Sequence, residues 1–582
     1  PMAFVTGLMG PYMRPIPVGA SLAMLFSLGV AFVVTPYLAF RLIRPHPPGR
    51  PIQGPGRFAR RYEGWLRRLL ERRGERLMFY GVVVILLLGS VGLVLARVVT
   101  VKMLPFDNKS EFQVILDFPA GTPLEASSRV AQEMAEALIG DPVVRDVQVY
   151  TGVAAPFNFN GLVRHYFLRR GPEVADLQVN LVPKEARNEQ SHAIAVRLRD
   201  RLVAAGRRSG VRTKVAEIPP GPPVLATLTA EIYGPDDAGR QRSAEAVRRI
   251  FDSTPGVVDV DWTLAVPSTE LVLSARPDQA ALALLSPADL ARAAGVIGGA
   301  EAGALHDSAA AEPVSIVVRL PESARAGAAG LRSLAIASRG GGLVPLGTVA
   351  ALQERTAPVP RFRKDLKPVV YVTGDVAREL ESPAYAMLSM DPRLKAAGIA
   401  TTWSGPAAST ESVSLNWDGE WRITYEVFRD LGIAFAVVMV LIYFIVVAWF
   451  QSFTTPLVIM APIPLTLAGI LPAHALSGAF FTATSMIGMI ALAGIIVRNS
   501  ILLVDFIELA RERDAPLTDA VVEAGLVRAR PILLTAAAVV IGGAVMVADP
   551  IFQGLGIALM SGAVVATLLT LVVIPLLYAE AA

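Results

Sequence analysis

The sequence predicts a polytopic α-helical membrane protein with a large α+β extracytoplasmic module built of split βαβ subdomains. Three observations carry that expectation. The 582 residues are 53% hydrophobic and only 18% charged, and the apolar residues cluster. Two clusters near the start and five near the end reach the roughly 20 residues that a helix needs to cross a bilayer. Residues 102–429 between them hold no such run and instead alternate strand-period and helix-period segments.

Composition removes several chemistries. The absence of cysteine excludes disulfides, thiolate metal sites and cysteine nucleophiles. Five histidines, none in a ligand-like cluster, give no reason to expect a dedicated zinc site. A net charge of +4 argues neither for nor against nucleic acid, but the basic residues are unevenly placed.

The chain opens in PMAFVTGLMG, which reads as the outer end of a span already in progress. With the first complete span, about Gly19–Arg41, this makes one segment, 1–41. Pro36 is tolerable there if neighbouring helices or water satisfy the freed carbonyl. Residues 42–76 form a cytoplasmic linker, with eleven arginines between Arg41 and Arg76 against Glu63, Glu71 and Glu75. After the Pro/Gly-rich RPHPPGRPIQGPG, the linker places Trp65, Leu66, Leu69 and Leu70 on one side of a helix. It reads as an amphipathic helix on an anionic leaflet. A basic soluble linker is the alternative, disfavoured by a span on each flank. The positive-inside rule puts this segment in the cytoplasm. The second span, about Leu77–Val99 within a segment 77–101, then exits to the other side.

The module that follows has a recurring rhythm. Strand Phe112–Phe118, helix Leu124–Leu138, strands Val143–Tyr150 and Glu173–Val182, and helix Ala193–Val203 form a first subdomain, 102–220. Strand Val224–Ile232, helix Ala238–Phe251, and strands Val257–Leu264 and Glu270–Ser274 open a second, 221–429. Inside it, a strand-rich insert at about 301–357, with strand Pro313–Leu320 and the Gly340–Gly342 turn, reads as a docking surface. A closing strand, Pro368–Thr373, follows, and a helix near Trp421–Asp430 leads to the membrane. The last segment, 430–582, holds five spans: Leu431–Trp449, Leu457–Leu471, Phe480–Phe506, Pro531–Val547 and Ile557–Tyr578. Residues 508–530 form a cytoplasmic connection, with a capped helix that has Pro516 near its start. Seven spans leave the C-terminus inside.

One stretch stands out. Gly494–Ile507, GIIVRNSILLVDFI, carries Arg498-Asn499 in the middle of a span and Asp505 nearer its cytoplasmic end. An arginine there costs roughly 2.5–3.5 kcal/mol on insertion scales, so it marks a functional site. Arg498 and Asp505 are seven residues apart and share a helix face. Asn499, Ser500 and Ser485 add hydrogen-bonding capacity, and Arg528, Arg530 and Thr535 stand on the next span. Together they can line a polar seam; ordinary positive-inside anchoring is the alternative for Arg528 and Arg530, and an interface charge for Asp505. A buried cation needs an anion, and no other span here contains Asp or Glu.

The span block resembles the C-terminal half of the resistance-nodulation-division (RND) efflux permeases of the multidrug, hydrophobe/amphiphile type. The matching stretches are GLMGPYMRPIPV, VTPYLAFRL, KMLPFDNKSEF, AGIIVRNSILLVDF, ARPILLTA and VVIPLLY, in that order and over nearly the whole chain. The resemblance implies twelve spans in two halves, with this chain beginning near the end of the fifth. It implies two periplasmic porter subdomains here, with the insert as a docking element. It also implies a proton relay in which two aspartates on the fourth span pair with a lysine on the tenth. Arg498 falls at the lysine position, followed by the same Asn499; Arg528 matches a family arginine at the cytoplasmic end of the eleventh span, Thr535 matches its threonine, and Asp505 matches an acidic position. Arginine for lysine keeps the cation but resists deprotonation, so the titrating groups would be the aspartates.

Phe157-Asn158-Phe159 resembles a Phe-Gly-Phe loop between substrate pockets, so Phe157 and Phe159, with Arg164 nearby, become candidate pocket residues. Asn158 and the arginines Arg164, Arg169 and Arg170 depart from the drug-pump pattern and open the way to anionic amphiphiles. The activity so implied is secondary active transport: proton-driven export of amphiphilic or hydrophobic small molecules from the bacterial inner membrane. It needs no cofactor beyond the proton motive force and no metal. The implied partners are a periplasmic adaptor protein, an outer-membrane channel and two further copies in a homotrimer, with no nucleic acid. The alternatives are a metal-cation exporter of the same superfamily, for which Met387 and Met390 form a weak pair, a protein-export accessory, a non-transporting membrane-anchored sensor or scaffold, and a fragment without transport activity.

Overall fold

The computed structural model describes residues 5–43, 56–218, 221, 223–265, 268–307, 309, 313–325, 327–377, 382–405 and 410–582. The Pro/Gly-rich run at 44–55 and the first four residues of the chain lie outside the described residues. Two compact units emerge, one of residues 1–263 and 363–582 and one of residues 264–362.

Among the described residues, seven helical stretches are long and apolar enough to cross a membrane. In chain order the membrane part consists of α1 (Pro15–Leu42), the shorter α2 (Arg57–Glu71) and α3 (Arg73–Leu95). The block after the soluble module consists of α8 (Glu420–Phe450), α9 (Thr455–Met460), α10 (Leu467–Ser477), α11 (Ala483–Arg511), α12 (Leu517–Met546) and α13 (Gln553–Ala581). α9 and α10 are parts of one interrupted crossing, with Pro462, Pro464 and Pro472 along it. α11, α12 and α13 pack on one another around Leu492, Ile496, Leu503, Val504, Ala558 and Ile574. α1 has no fully buried residue; Ile16 near its start packs against a core cluster, and most of its apolar surface is exposed.

Two helices run further than the sequence suggests. The expected lead-in helix Trp421–Asp430 and the following span are one helix, α8, because nothing between Asp430 and Leu431 breaks it. The expected cytoplasmic helix and the span beginning at Pro531 are likewise one helix, α12, with Pro531 inside. A proline there forfeits one backbone hydrogen bond, which membrane bundles tolerate where neighbouring groups compensate.

α2 corrects the leaflet expectation. Its apolar face does not await lipid: Leu66 and Leu69 are buried against Val522 of α12 and Val572 and Leu576 of α13. The Tyr62 hydroxyl donates to the Leu571 carbonyl at 2.6 Å, Arg67 pairs with Asp519 at 2.8 Å, and Arg76 pairs with Glu580 at 2.7 Å. Of the apolar set only Trp65 stays exposed, beside the exposed Arg57, Arg60, Arg61 and Arg68. Gly525 makes this contact possible, since a Cβ there would stand 2.3 Å from the Tyr62 hydroxyl oxygen. Gly525→Ala is therefore expected to cost about 1–3 kcal/mol by overpacking, against about 0.5–1.5 kcal/mol for the hydrogen bond lost in Tyr62→Phe. Tryptic cleavage at the α2 arginines should accelerate more in the first variant than in the second.

The first soluble sheet contains β1 (Glu111–Asp117), β2 (Val144–Val153), β3 (Arg170–Leu181) and β4 (Arg212–Ala216), in the antiparallel order β2-β3-β1-β4. α4 (Leu124–Ile139) joins β1 to β2, and α5 (Ser191–Arg208) joins β3 to β4. Their apolar stripes meet the sheet at Phe112, Val114, Leu116, Leu138, Leu177 and Leu198. The second sheet contains β5 (Leu228–Tyr233), β6 (Val257–Trp262), β11 (Lys367–Val376), β12 (Ala400–Thr402) and β13 (Ser414–Gly419). Its order runs β11-β5-β13-β12, with β6 also on β11. α6 (Asp237–Asp252) follows β5, and α7 (Pro383–Ala396) follows β11. Trp417 of β13 is 1% exposed and stacks on Phe251 of α6 at 5.9 Å.

The smaller unit starts well before the expected 301. β7 (Thr269–Ala275) belongs to it, because it pairs with β10 (Ala350–Thr356), Ala275 facing Ala350, and not with the sheet of β5. Between them lies the exposed hairpin of β8 (Ala300–Leu305) and β9 (Val314–Val318).

Candidate functional site

The site in the membrane is built on α11. The helix starts on a capping box in which Thr482 and Ser485 exchange side-chain and backbone hydrogen bonds, and it then runs 29 residues without a breaker. One side, through Leu492, Ile496, Asn499, Ser500, Leu503 and Ile507, is buried in the bundle. The other presents Ala491, Gly494, Arg498 and Leu502, all exposed, with the half-buried Asp505 on the same stripe. Arg498 thus stands on the outward face and makes no hydrogen bond or ion pair with a described residue.

The remaining expected site residues divide between faces. Asp505 shares the stripe of Arg498, about 10 Å further along the axis. Asn499 is on the opposite, packed side and only 4% exposed. Ser500 returns its hydroxyl to the Ile496 carbonyl at 2.9 Å. On α12, Arg528 lies with its guanidinium 5.3 Å from the ring centre of Phe506, next in sequence to Asp505. Its buried Nε has no hydrogen-bond partner among the described residues. Thr535 is half-buried and donates to the Ile532 carbonyl at 2.8 Å. Arg528 and Phe506 are therefore brought together, whereas Ser485 is not brought to Arg498. Ser485 lies at the helix start, about 20 Å away, and its hydroxyl bonds the buried His474 ring at 2.9 Å. His474 carried no sequence signal beyond its place in an apolar run; its other nitrogen meets the Ile470 carbonyl at 2.8 Å.

In the soluble module the expected pocket residues part company. Asn158 caps a short helix, Phe159–Val163, by accepting the Gly161 N–H at 2.7 Å, and its amide donates to Gln178 at 3.2 Å. Phe157 is 75% exposed, with its ring 5.8 Å from that of Phe167. Phe159 opens the short helix. Arg164 does not join them. It is buried and grips Asp375 of β11 with both terminal nitrogens, at 2.7 and 3.4 Å. Asp375 also accepts the Thr227 N–H at 3.1 Å and its hydroxyl at 2.7 Å. Burial alone raises the Asp375 carboxyl, but the Arg164 charge and the Thr227 hydrogen bonds outweigh it and hold the group down at about 2. Arg169 is similarly consumed by Asp117 at 2.7 Å, by Asp176 and by the Leu116 carbonyl. Of the three arginines that opened the way to anionic substrates, only Arg170 is exposed.

Arg164 belongs to a seam of ion pairs between the two subdomains that sequence reasoning missed. Arg199 of α5 pairs with Asp259, Lys214 of β4 pairs with Asp261, and Arg212 reaches Asp261 at 2.9 Å. Asp259 sits at φ +53° where β6 slips register against β11, a bulge that turns its carboxylate toward Arg199 and the Val215 N–H, 3.2 Å away. In each of these pairs across the seam the cation comes from the first subdomain and the carboxylate from the second; Lys214 also meets Asp117 of its own subdomain at 3.2 Å.

Comparison with known proteins gives consistent results. A model of the AcrB/AcrD/AcrF family matches residues 1–582. The swarming motility protein SwrC of Bacillus subtilis (strain 168) is 24% identical over 602 residues, covering 99% of this chain and 53% of that protein. Two crystal forms of a heavy metal efflux pump superpose with TM-scores of 0.70 and 0.71 at 22% and 21% identity. They cover 90% of this chain and 51% and 52% of theirs. The chain thus spans about half the length of the relatives it matches.

Proposed function

The chain belongs to the AcrB/AcrD/AcrF family, and from that premise we propose that it serves proton-driven export across the cell envelope from an inner membrane. The observation that carries the reading is Arg498, a cation in mid-span on a helix face that nothing described covers. A charge placed so is costly unless an anion meets it there. An acidic pair on a facing span would titrate beside it, and each protonation would release the arginine and let the helices shift. Asp505, Arg528 and Thr535 extend the polar path toward the cytoplasm, and Asn499 anchors the helix from its packed side. The module of residues 102–429 would receive substrate, working in a homotrimer with a periplasmic adaptor and an outer-membrane channel.

On substrate, two readings differ in support. Export of amphiphilic molecules rests on the exposed Phe157 with Phe159, but Arg164 is committed to Asp375 and is no part of such a pocket. Export of a soft metal cation is favoured by the heavy metal efflux pumps of the same fold and by one feature of this chain. Met9, Met13 and Met103 are buried in one cluster, with Met486 packed against it, and thioethers suit soft cations. Met387 and Met390 do not add to it, since they lie on α7 in the soluble module and are no part of that cluster. We place the metal reading first. Cells expressing the complete reading frame should tolerate about tenfold more copper or silver than a strain without it, and Met103→Leu should remove the gain. Protection against dyes and detergents with none against metals would reverse the order.

A further inference from the structure

α3 leaves the membrane at Leu95, and the chain enters the first sheet at Glu111. The stretch between them does not hang free. The Phe481 N–H donates to the Thr100 carbonyl at 2.9 Å, the Lys102 N–H to the Phe481 carbonyl at 3.1 Å, and the Ala483 N–H to the Met103 carbonyl at 3.1 Å. Val101 and Phe481 form a parallel bridge. The segment 100–103 is therefore stitched by backbone to the first turn of α11, the helix that carries Arg498. Met103 and Leu104 bury themselves with Ile487 and Ile490 of that helix.

At the other end the same stretch is held by the soluble module. The Phe106 ring stacks on His192 of α5 at 4.3 Å with the planes 9° apart. The Lys109 N–H donates to the Ser191 hydroxyl at 3.0 Å, and the Ser191 N–H donates to Asn108 at 3.0 Å. Lys102 sits between the two attachments and is 2% exposed. Its ammonium lies 4.3 Å from the ring centre of Phe106, on the module side, and 5.3 Å from that of Phe480, on the membrane side. Glu420, the buried first residue of α8, lies in the field of the same ammonium. A cation held between two rings in a water-poor site is attracted to both faces, and it holds the two rings at a fixed spacing.

We infer that residues 100–110 form the strap that carries displacement of α11 to α5, with Lys102 as the positioning residue that keeps the two ends in register. The inference rests on the transport reading for its use, but the strap itself rests on geometry alone. Arg498 lies about 22 Å down a continuous helix from Ala483, so an axial shift at the arginine arrives at the strap undiminished. α5 then takes it up through the Phe106–His192 stack and the Ser191 bonds. α5 also carries Arg199 of the inter-subdomain seam.

Lys102→Met keeps the length and removes the charge; Lys102→Arg keeps both charge and ring contacts. In the complete protein, purified in detergent, amide exchange at Phe481 and Ala483 should quicken at least about tenfold in Lys102→Met and stay near wild type in Lys102→Arg. Val114 in β1 serves as the control for global unfolding and should not change. In vesicles, Lys102→Met should keep substrate-stimulated proton flux within about twofold while export falls about tenfold, and Lys102→Arg should restore export. Unchanged exchange at Phe481 and Ala483 in Lys102→Met would overturn the strap. Proton flux and export falling in the same ratio would overturn the coupling role. A wild-type protein that moves neither protons nor substrate would sink the transport reading and the coupling with it, and the exchange result would still decide whether Lys102 holds the strap.

Discussion

Arg498→Ala, in the protein expressed from its complete reading frame, is expected to lower export at least about 100-fold, equivalent to about 2.7 kcal/mol of lost coupling. The protein should still fold and reach the membrane. The reason lies in where the side chain stands: on the exposed stripe of α11 it contributes nothing to the packing that holds the helix, which comes from Leu492, Ile496, Leu503 and Ile507 on the other side. Removing the guanidinium removes a cost to insertion rather than a support of the bundle. Arg498→Lys keeps the cation and should retain part of the activity, because the proposed relay asks this position for a positive charge. Asn499→Ala should behave differently. Asn499 is buried on the packed side, so its loss should weaken the protein itself and lower the amount recovered from membranes.

Asp375→Asn is expected to be the most damaging single change in the soluble module. It leaves the Arg164 guanidinium buried with its charge unmatched, which costs about 3–5 kcal/mol. Replacing both partners by apolar residues, as in Arg164→Met with Asp375→Leu, should recover part of that loss, because the desolvation cost of both ions goes with them while the Thr227 N–H and hydroxyl lose their acceptor. The pH dependence has a definite sign. Asp375 is held at about 2 in the folded protein against 3.8 for the free group. Its contribution is therefore complete above about pH 4 and disappears as the pH falls through 2. Wild type should lose stability over that window, and Asp375→Asn should lack that component. Equal unfolding midpoints for wild type and Asp375→Asn at pH 7 would show that the pair does not hold the subdomains.

Much of this architecture is legible in the sequence because local signals there agree with the fold. Long apolar runs mark the spans, and period-2 and period-3.6 patterns mark the sheets and helices of the module. Arg498 is legible for the same reason: a charge inside an apolar run has no local explanation. What escapes is whatever depends on residues far apart in the chain. Arg164 looks like a substrate contact beside two phenylalanines, and only the fold brings it to Asp375, 211 positions on. β7 looks like the next strand of its subdomain, yet its partner β10 lies across the whole insert. The arginine-rich α2 has the composition of a lipid-facing helix, and only tertiary packing shows its leucines spent on α12 and α13. Lys102 gives a faint signal, a lysine next to MLPF just past a span, but snorkelling to the interface explains that equally well. Its enclosure by Phe106 and Phe480 cannot be read from a linear pattern.

The seam of ion pairs adds a constraint on any moving model of the module. Cations on one side and carboxylates on the other, with Asp259 held at positive φ to complete the match, make the closed interface specific in register. Buried charge pairs of this kind resist sliding, since an offset takes each charge off its partner and leaves it desolvated and unmatched.

The most direct measurement is proton flux into proteoliposomes that hold the complete protein, recorded with an internal pH dye while a pH gradient is imposed and substrate is added. Coupling through Arg498 requires that wild type move protons faster when substrate is present, and that Arg498→Ala, inserted at the same density, show no substrate-dependent flux. Substrate movement that continues at the wild-type rate in Arg498→Ala, or that persists after the pH gradient is collapsed, would contradict a role for this arginine in proton-driven export.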